Sequence, residues 1–128
     1  MKLLLDTHLL LWTAEGATRL SKVAAQFIDD PDNELFFSPV SFWEIAIKLR
    51  RDRDDFRVDP RVLRRRLLDN RYGELAVTGD HATAVADLAP LHGDPFDRLL
   101  IAQCMVAGMT LLTADRMVAR YPGPIRRV

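Results

Sequence analysis

Acidic side chains fall at four places in this sequence where an apolar segment begins or ends: Asp6, Glu44, Asp97 and Asp115. Asp97 is the most unusual of them, because it lies in the segment HGDPFDRLLIAQC, three residues before Leu100 and four before Ile101. A helix beginning after Asp94 would direct the Asp97 side chain toward the same face as those two apolar residues. An aspartate on an apolar stripe belongs either to the helix cap or to a reactive site.

Each acid also has an ordinary structural interpretation. Asp6 and Asp115 could cap helices, since acids are favoured at helix N-termini. Asp97 stands at the third position after a predicted cap, a usual place in a capping box. Glu44 could pair with Lys48, which follows four residues later on the same helical face. Taken one at a time, the acids do not require a catalytic role.

Four carboxylates gathered in one place would have a different meaning. Two of them about 4 Å apart repel by roughly 4 kcal/mol at an effective dielectric constant of 20. Some would therefore be protonated, or a cation would hold them together. Carboxylates without a cluster of histidines or cysteines suit a hard cation such as Mg²⁺ or Mn²⁺. Such a cation in turn suits phosphoryl chemistry, in which it activates water and neutralises developing negative charge.

Alternating strands and helices are predicted to position these acids. Strands are predicted at KLLLD, ELFFS, ELAVT and GMTLLTAD, with PIRRV as a short edge strand. Helices are predicted at THLLLWTAEG, SKVAAQFIDD, PVSFWEIAIKLRRD, PRVLRRRLLDN and DHATAVADLA, and in the segment after Asp94. This order predicts a single α/β domain over residues 1–128, with a mostly parallel sheet of four to five strands flanked by helices. In such folds, sites form at the carboxyl ends of the strands.

Composition excludes several classes of protein. The 128 residues are 48% hydrophobic and 28% charged, which suits an ordinary globular domain with its own core. No apolar run approaches the roughly 20 residues that cross a bilayer, and Asp6 interrupts the apolar start too early for a signal peptide. The single cysteine, Cys104, excludes an internal disulfide and suits a reducing compartment. We expect a cytoplasmic protein without a membrane segment.

Charge is balanced overall but unevenly distributed. The segment from Lys48 to Arg71 has ten Lys/Arg and five Asp/Glu, so it has a net charge of +5 in a chain of net charge zero. The ordinary interpretation of such a run is a solvated helical face. The alternative is a surface that binds phosphates.

The segments that contain the acids resemble the PIN-domain ribonucleases, and among these the VapC-type toxins of bacterial toxin–antitoxin pairs. LLLDTHLLLW, FFSPVSFWEIAIK, DPFDRLLIAQC and LLTAD occur in the family's order and spacing and extend over nearly the whole chain. The resemblance implies a compact α/β fold and a Mg²⁺- or Mn²⁺-dependent endoribonuclease. It also implies a homodimer and a small antitoxin, which lies in a groove along the helices with a basic side chain close to the acids. We expect this groove to involve the first helices, where LLLW would supply apolar surface.

The resemblance also assigns roles to individual residues. The family's four acids correspond to Asp6, Glu44, Asp97 and Asp115. The first and third are implied as the principal metal ligands, and the second as a ligand or water-orienting group. The fourth is implied either to complete a second metal site or to act through waters. Thr7 and Thr113 match hydroxyl positions that support the site, and Asp94 remains the helix cap. The implied reaction is hydrolysis of an RNA phosphodiester by an activated water, leaving 5′-phosphate and 3′-hydroxyl ends.

Roles are also predicted for basic and aromatic side chains and for the histidines. The arginines Arg64, Arg65 and Arg66 could follow the RNA backbone toward the acids. Arg98, beside Asp97, could contact the scissile phosphate or form a structural salt bridge. The aromatic residues Trp12, Phe42 and Trp43 are interpreted as core, and not as platforms on which bases stack, because their neighbours are apolar. Three histidines are left outside the catalytic set: His8 as a helix-start residue where many relatives have asparagine, and His81 and His92 because they match no catalytic position.

Residue identity argues against two other enzyme classes. A haloacid-dehalogenase-like phosphatase needs a second aspartate two residues after the first, where His8 stands. A phosphorelay receiver needs a lysine after a late strand, but the lysines are Lys2, Lys22 and Lys48. The remaining alternative is a catalytically silent PIN-like module that binds RNA or protein, which loss of an acid would mark. All four acids are present, and the RNA target stays open.

Overall fold

A computed structural model of the chain describes residues 1–16, 18–50 and 58–128. The strands are β1 (Lys2–Leu5), β2 (Glu34–Phe37), β3 (Gly73–Glu74), β4 (Thr110–Thr113) and β5 (Ile125–Arg127). The helices are α1 (Thr7–Ala14), α2 (Lys22–Asp29), α3 (Pro39–Arg50), α4 (Pro60–Asp69), α5 (Gly79–Ala84) and α6 (Pro95–Ala107). Single 3₁₀ turns follow α5 at Val85–Asp87 and precede β5 at Val118–Arg120. The predicted α/β fold is confirmed.

The strands form one parallel sheet in the order β3-β2-β1-β4-β5. β1 lies at its centre, where Leu4 pairs with Phe36 of β2 and with Leu111 of β4. Because β1 and β4 are parallel neighbours, the residues that follow them emerge at the same edge of the sheet. Asp6 and Asp115 follow these two strands, so the topology brings two acids from opposite ends of the chain together.

Apolar side chains cover both faces of the sheet. Leu3 and Leu5 belong to one buried cluster and Leu4 to another, as the alternation of side chains along a strand requires. Helix α6 contributes Leu100 and Ile101 to the second cluster, and both are fully buried. This packing fixes α6, and with it Asp97 in the first helical turn, against the sheet.

The predicted helix signals are confirmed at the elements that border the acids. The Asp94 side chain accepts hydrogen bonds from the backbone N–H groups of Phe96 (2.9 Å) and Asp97 (3.0 Å), so it is the N-cap of α6. The helix ends at Gly108, whose φ of +70° is the left-handed conformation that favours glycine. In the described residues no helix is long and apolar enough to cross a bilayer.

Strand β3 is shorter than the predicted strand ELAVT and begins one residue earlier. Its neighbour β2 ends at Phe37, which accepts a final hydrogen bond from the N–H of Leu75 (2.8 Å), so nothing remains for the following residues to pair with. A Cβ at Gly73 would lie 2.6 Å from the Phe36 ring, which explains glycine at this position. Residues 51–57, which include the predicted end of α3 and part of the basic stretch, lie outside the described residues.

Candidate active site

A small cavity at the carboxyl edge of the sheet brings all four predicted acids together. Its volume is about 60 Å³, and it is lined by Asp6, Thr7, His8, Glu44, Lys48, Asp94, Asp97 and Asp115. The side chains come from the ends of β1 and β4, from α3 and from the start of α6. Asp94 was predicted only as a helix cap, yet it adds a fifth carboxylate to the wall.

Asp6 is fixed from two sides and is buried. Its Oδ1 accepts a hydrogen bond from the N–H of Leu9 (3.0 Å), so it caps α1, and its Oδ2 accepts one from the Thr113 hydroxyl (2.6 Å). The N–H of Asp115 donates to the Thr113 hydroxyl oxygen (3.0 Å). Burial raises the pKa of Asp6, although these hydrogen bonds act in the opposite direction. The capping and site interpretations of Asp6 are therefore compatible.

Asp97 combines burial with several negative neighbours. Its side chain is 19% exposed and lies in the first turn of α6. Burial, followed by the charges of Asp94 and Glu44, raises the pKa of Asp97 to about 7. His92 opposes this rise by a contact of its Nε2 with Asp97 Oδ2 at 3.3 Å. Near neutral pH the Asp97 carboxyl group therefore exchanges a proton readily, and a bound cation would favour its ionised form.

Glu44 presents a buried oxygen without a partner. It lies in α3, almost fully buried, and its Oε2 accepts a hydrogen bond from Lys48 Nζ at 2.5 Å, so the predicted ion pair is present. Among the described residues, its Oε1 has no hydrogen-bond partner. A buried acceptor left unsatisfied costs about 1–3 kcal/mol, and such a group calls for a ligand or water.

The remaining predicted site residues have distinct positions. The Thr7 hydroxyl donates to Ser41 Oγ (2.9 Å), so it connects the start of α1 with α3 instead of contacting an acid. Asp115 is exposed at the cavity rim, and its Oδ1 accepts from the N–H groups of Met117 (2.7 Å) and Val118 (3.1 Å). These two hydrogen bonds show that Asp115 caps the turn that follows it, as its ordinary structural interpretation predicted.

His92, which sequence reasoning left out, contacts Asp97. Its Nδ1 lies 2.7 Å from the hydroxyl oxygen of Tyr121, a residue 29 positions later. Arg98 donates to the same hydroxyl (2.9 Å) and to the carbonyl oxygen of Ala89 (2.9 Å). Arg98 thus stabilises the loop around His92. It does so through hydrogen bonds, and not through the predicted salt bridge with the acids. No spacing rule in the sequence could have joined His92 to Tyr121.

The three consecutive arginines of α4 differ in their contacts. Arg64 makes a two-pronged ion pair with Glu74, with both N–O distances at 2.9 Å, and this pair lowers the pKa of Glu74. Arg65 and Arg66 are exposed. Arg66 lines a different depression, between α1, α2 and α4. The predicted RNA contact of this group stays a prediction, and Arg64 is already shared with Glu74.

The aromatic residues differ from one another in burial. Trp12 and Phe42 are half-buried and pack against the core, as predicted. The prediction for Trp43 is wrong, since this residue is 54% exposed. Trp43 is packed edge-on against Phe96, with ring centroids 4.8 Å apart. Phe42 and Ala46 lie beside Trp43 in one shallow depression, but they leave more than half of the Trp43 surface exposed.

The side chains of the cavity offer the oxygen atoms that a hard cation prefers, but their present positions do not form a coordination site. Within the described part of the chain, no three His, Cys, Asp or Glu side chains are arranged to hold a metal ion as they stand. Mutual repulsion keeps carboxylates apart in the absence of a cation. The oxygen donors, the unpartnered Oε1 of Glu44 and the raised pKa of Asp97 all suit a divalent cation that binds oxygen.

The chain belongs to the PIN-domain family, whose model matches residues 3–124. The resemblance noted from the sequence is thereby confirmed. Over 124 residues, which are 95% of each chain, it is 32% identical to the protein named Ribonuclease VapC22 of Mycobacterium tuberculosis.

Solved structures with this fold include VapBC proteins, two of them bound to DNA. The chain is similar to a chain of VapBC2 from Rickettsia felis bound to a promoter DNA fragment, with a TM-score of 0.73, 12% identity and coverage of 100% of this chain and 99% of that one. It is also similar to a chain of DNA-bound VapBC from Salmonella typhimurium, with a TM-score of 0.67, 15% identity and coverage of 99% and 98%. At these identities the likeness concerns the fold.

Proposed function

We propose that this chain is an endoribonuclease that requires Mg²⁺ or Mn²⁺ and acts in the cytoplasm as the toxin of a VapBC-type toxin–antitoxin pair. The observation that carries the proposal is the meeting of Asp6, Glu44, Asp97 and Asp115 around one cavity of a PIN-domain fold. Relatedness over 95% of the chain to a protein named as a VapC ribonuclease supports the same activity.

Asp6 and Asp97 would be the principal ligands of the cation, and Asp115 at the rim would complete the set. When bound, a divalent cation activates water and neutralises the charge that develops on a phosphate. Thr113 and the N–H of Leu9 hold Asp6 in one orientation, and His92 does the same for Asp97. Preorganised groups of this kind need no rearrangement as charge develops.

Glu44 and Lys48 have complementary tasks in this proposal. The unpartnered Oε1 of Glu44 would accept a hydrogen bond from the attacking water and orient it. The Lys48 ammonium, on Oε2 of Glu44, offsets part of the negative charge that an approaching phosphate would meet. Water adds to phosphorus, the bond to the 3′ oxygen breaks, and a proton passes to that oxygen. The products are 5′-phosphate and 3′-hydroxyl ends.

A groove along the helices supports the antitoxin part of the proposal. It has a volume of about 440 Å³ and lies between α1, α2 and α4, with Leu20, Ile28 and Leu67 among its apolar walls and Arg66 among its polar ones. The expectation that LLLW would supply this apolar surface is wrong, because its three leucines are at most 1% exposed. The groove would accept an apolar antitoxin segment, and an antitoxin arginine could pair with Asp6 or Asp97.

A homodimer, as the family resemblance implies, is part of the proposal. The decisive experiment uses the purified chain without any partner, incubated with total RNA and either Mg²⁺ or EDTA. We expect cleavage only with the metal, and mapping the new 5′ ends identifies the RNA target. Intact RNA in Mg²⁺ and in Mn²⁺ would favour the silent RNA- or protein-binding module. Sedimentation of the same sample measures the oligomeric state.

Expression of this chain alone is expected to arrest growth of a bacterial host, because an unregulated ribonuclease degrades the host's RNA. Co-expression of a small protein encoded beside it should relieve the arrest. Growth curves and viable counts measure both effects, with Glu44→Gln as an inactive control. An RNA-cutting chain that is harmless, with no neighbouring binder, would contradict the toxin role and leave the nuclease intact.

His92→Ala is expected to lower RNA cleavage by about 10- to 100-fold, the usual effect of losing a group that orients a metal ligand. His92 is a positioning residue, so the loss should appear mainly in kcat and in cation affinity, with little change in KM. His92→Gln, whose amide can still donate toward Asp97, should restore part of the activity. Tyr121→Phe removes only the hydroxyl behind His92 and should have a smaller effect. Equal kcat values for His92→Ala and wild type would refute the positioning role.

A further inference from the structure

Trp43 is a large aromatic side chain left exposed beside the acid cavity. It directly precedes Glu44 in α3, and more than half of its surface is open. Phe96, which packs edge-on against the indole, directly precedes Asp97 in α6. The indole of Trp43 is therefore next to Glu44 in sequence, and the ring that it packs against is next to Asp97. Its neighbours fix its position without covering it.

The surroundings of Trp43 combine aromatic, apolar and basic side chains with one acid, Asp59. A shallow depression of about 620 Å³ is lined by Phe42, Trp43, Ala46, Leu49, Asp59, Pro60, Arg61 and Arg64. On the other side, Lys48 lies 5.9 Å from the centroid of the Phe96 ring and also reaches the acid cavity. Arg64 shares its charge with Glu74, whereas Arg61 is exposed at the start of α4. Exposed aromatic rings among cationic side chains are typical of surfaces that bind single-stranded nucleic acid.

We propose that Trp43 stacks against a base of the RNA next to the scissile phosphate. This inference rests on the proposed nuclease function and specifies how the same site holds its substrate. A phosphate at the acid cavity would lie beside Glu44, and the neighbouring base would then lie within reach of the adjacent indole. Since Phe96 already fixes the ring, little conformational freedom is lost when a base stacks on it. Stacking tolerates any base, so Trp43 contributes affinity and register more than sequence choice.

Kinetics on a single-stranded RNA with a mapped cleavage site test the inference. Trp43→Ala should raise KM by about 5- to 100-fold, the effect of losing one stacked base, with kcat much less affected. Trp43→Phe keeps an aromatic face and should retain part of the affinity. Trp12→Phe is the matched control, because Trp12 packs against the core, and its KM should equal that of wild type.

An abasic substrate separates stacking from a structural role. RNA without the base next to the cleaved bond should bind wild type as weakly as intact RNA binds Trp43→Ala, and the two changes together should add little. If the abasic change weakens wild type and Trp43→Ala equally, the base does not contact Trp43 and the inference is overturned. Unchanged KM in Trp43→Ala, with wild type active, overturns it as well.

Fluorescence gives a readout that does not depend on cleavage. The chain has two tryptophans, so Trp12→Phe leaves Trp43 as the single indole. In EDTA, titration with intact RNA should quench this emission, and abasic RNA should quench it much less. A folded Trp12→Phe protein without quenching overturns the inference even if wild type cuts RNA. Trp43→Ala could also lose a dimer that wild type forms. If RNA still quenches the emission of a dimeric Trp12→Phe protein, stacking remains supported. If RNA does not quench it, the indole contacts a second copy of the chain and the inference is overturned.

Discussion

Asp97→Asn is expected to lower RNA cleavage by about 10²- to 10³-fold, the scale for removing one preorganised electrostatic group from a catalytic site. The amide has almost the shape of the carboxylate but no charge, so it binds a divalent cation weakly. Asp94 still caps α6, and Leu100 and Ile101 still anchor that helix in the core. The chain should therefore fold normally, with cation binding and cleavage lost together.

Asp80→Asn is a suitable matched control for this substitution. Asp80 also lies in the first turn of a helix, α5, but it is exposed and does not line the acid cavity. Initial rates at increasing Mg²⁺ concentration, and calorimetric titration with Mn²⁺, measure the two losses. We expect Asp6→Asn to behave like Asp97→Asn and Glu44→Gln to lose most activity. Wild-type rates in Asp97→Asn would show that the site is assigned wrongly.

The same substitution is expected to stabilise the metal-free protein above neutral pH. Burial and neighbouring negative charges raise the pKa of Asp97 from 3.8 to about 7 on folding. The folded state therefore binds this proton more tightly than the unfolded state, and stability falls as the pH rises from about 4 to about 7. Three pKa units correspond to at most about 4 kcal/mol in the free energy of unfolding. Wild type loses this free energy when Asp97 ionises, whereas the amide of Asp97→Asn does not ionise and loses none.

Denaturation of wild type and Asp97→Asn in EDTA, from pH 4 to pH 8, measures this difference. The two should be equally stable near pH 4, and the variant should melt on the order of 10 °C higher near pH 8. Comparing them cancels the opposite contribution of Glu74, whose lowered pKa adds stability that is lost on acidification. Mg²⁺ should stabilise wild type and not the variant. Parallel stability curves at every pH would contradict the raised pKa of Asp97.

The sequence predicted the parts of the site that depend on local signals and on one well-defined topology. The Asp94 cap follows from an acid placed directly before a proline at the start of a helix. The inward position of Asp97 follows from its helical spacing to Leu100. Asp6 and Asp115 could be expected at one edge of the sheet, because residues that follow neighbouring parallel strands emerge together.

The sequence could not predict features that depend on contacts between distant loops. His92 reaches Asp97 only because Tyr121, presented just after a 3₁₀ turn, supports the opposite side of its ring. Trp43 has apolar neighbours in sequence, but its exposure depends on how closely α4 and α6 approach α3. β3 is short because β2 ends at Phe37, a limit set by the neighbouring strand and not by the residues of ELAVT.

The hydrogen bond between Thr113 and Asp6 also limits how early during synthesis of the chain the acid site can form. Its two residues are 107 positions apart, and β1 pairs with β4 across the same interval. At ribosomal rates of about 5–20 residues per second, the first strand waits on the order of 5–20 s for this partner. In a nascent chain, the proposed RNA-cutting centre can therefore form only after β4 has been synthesised. The antitoxin of the proposed pair would have that interval in which to fold before the acids of the toxin come together.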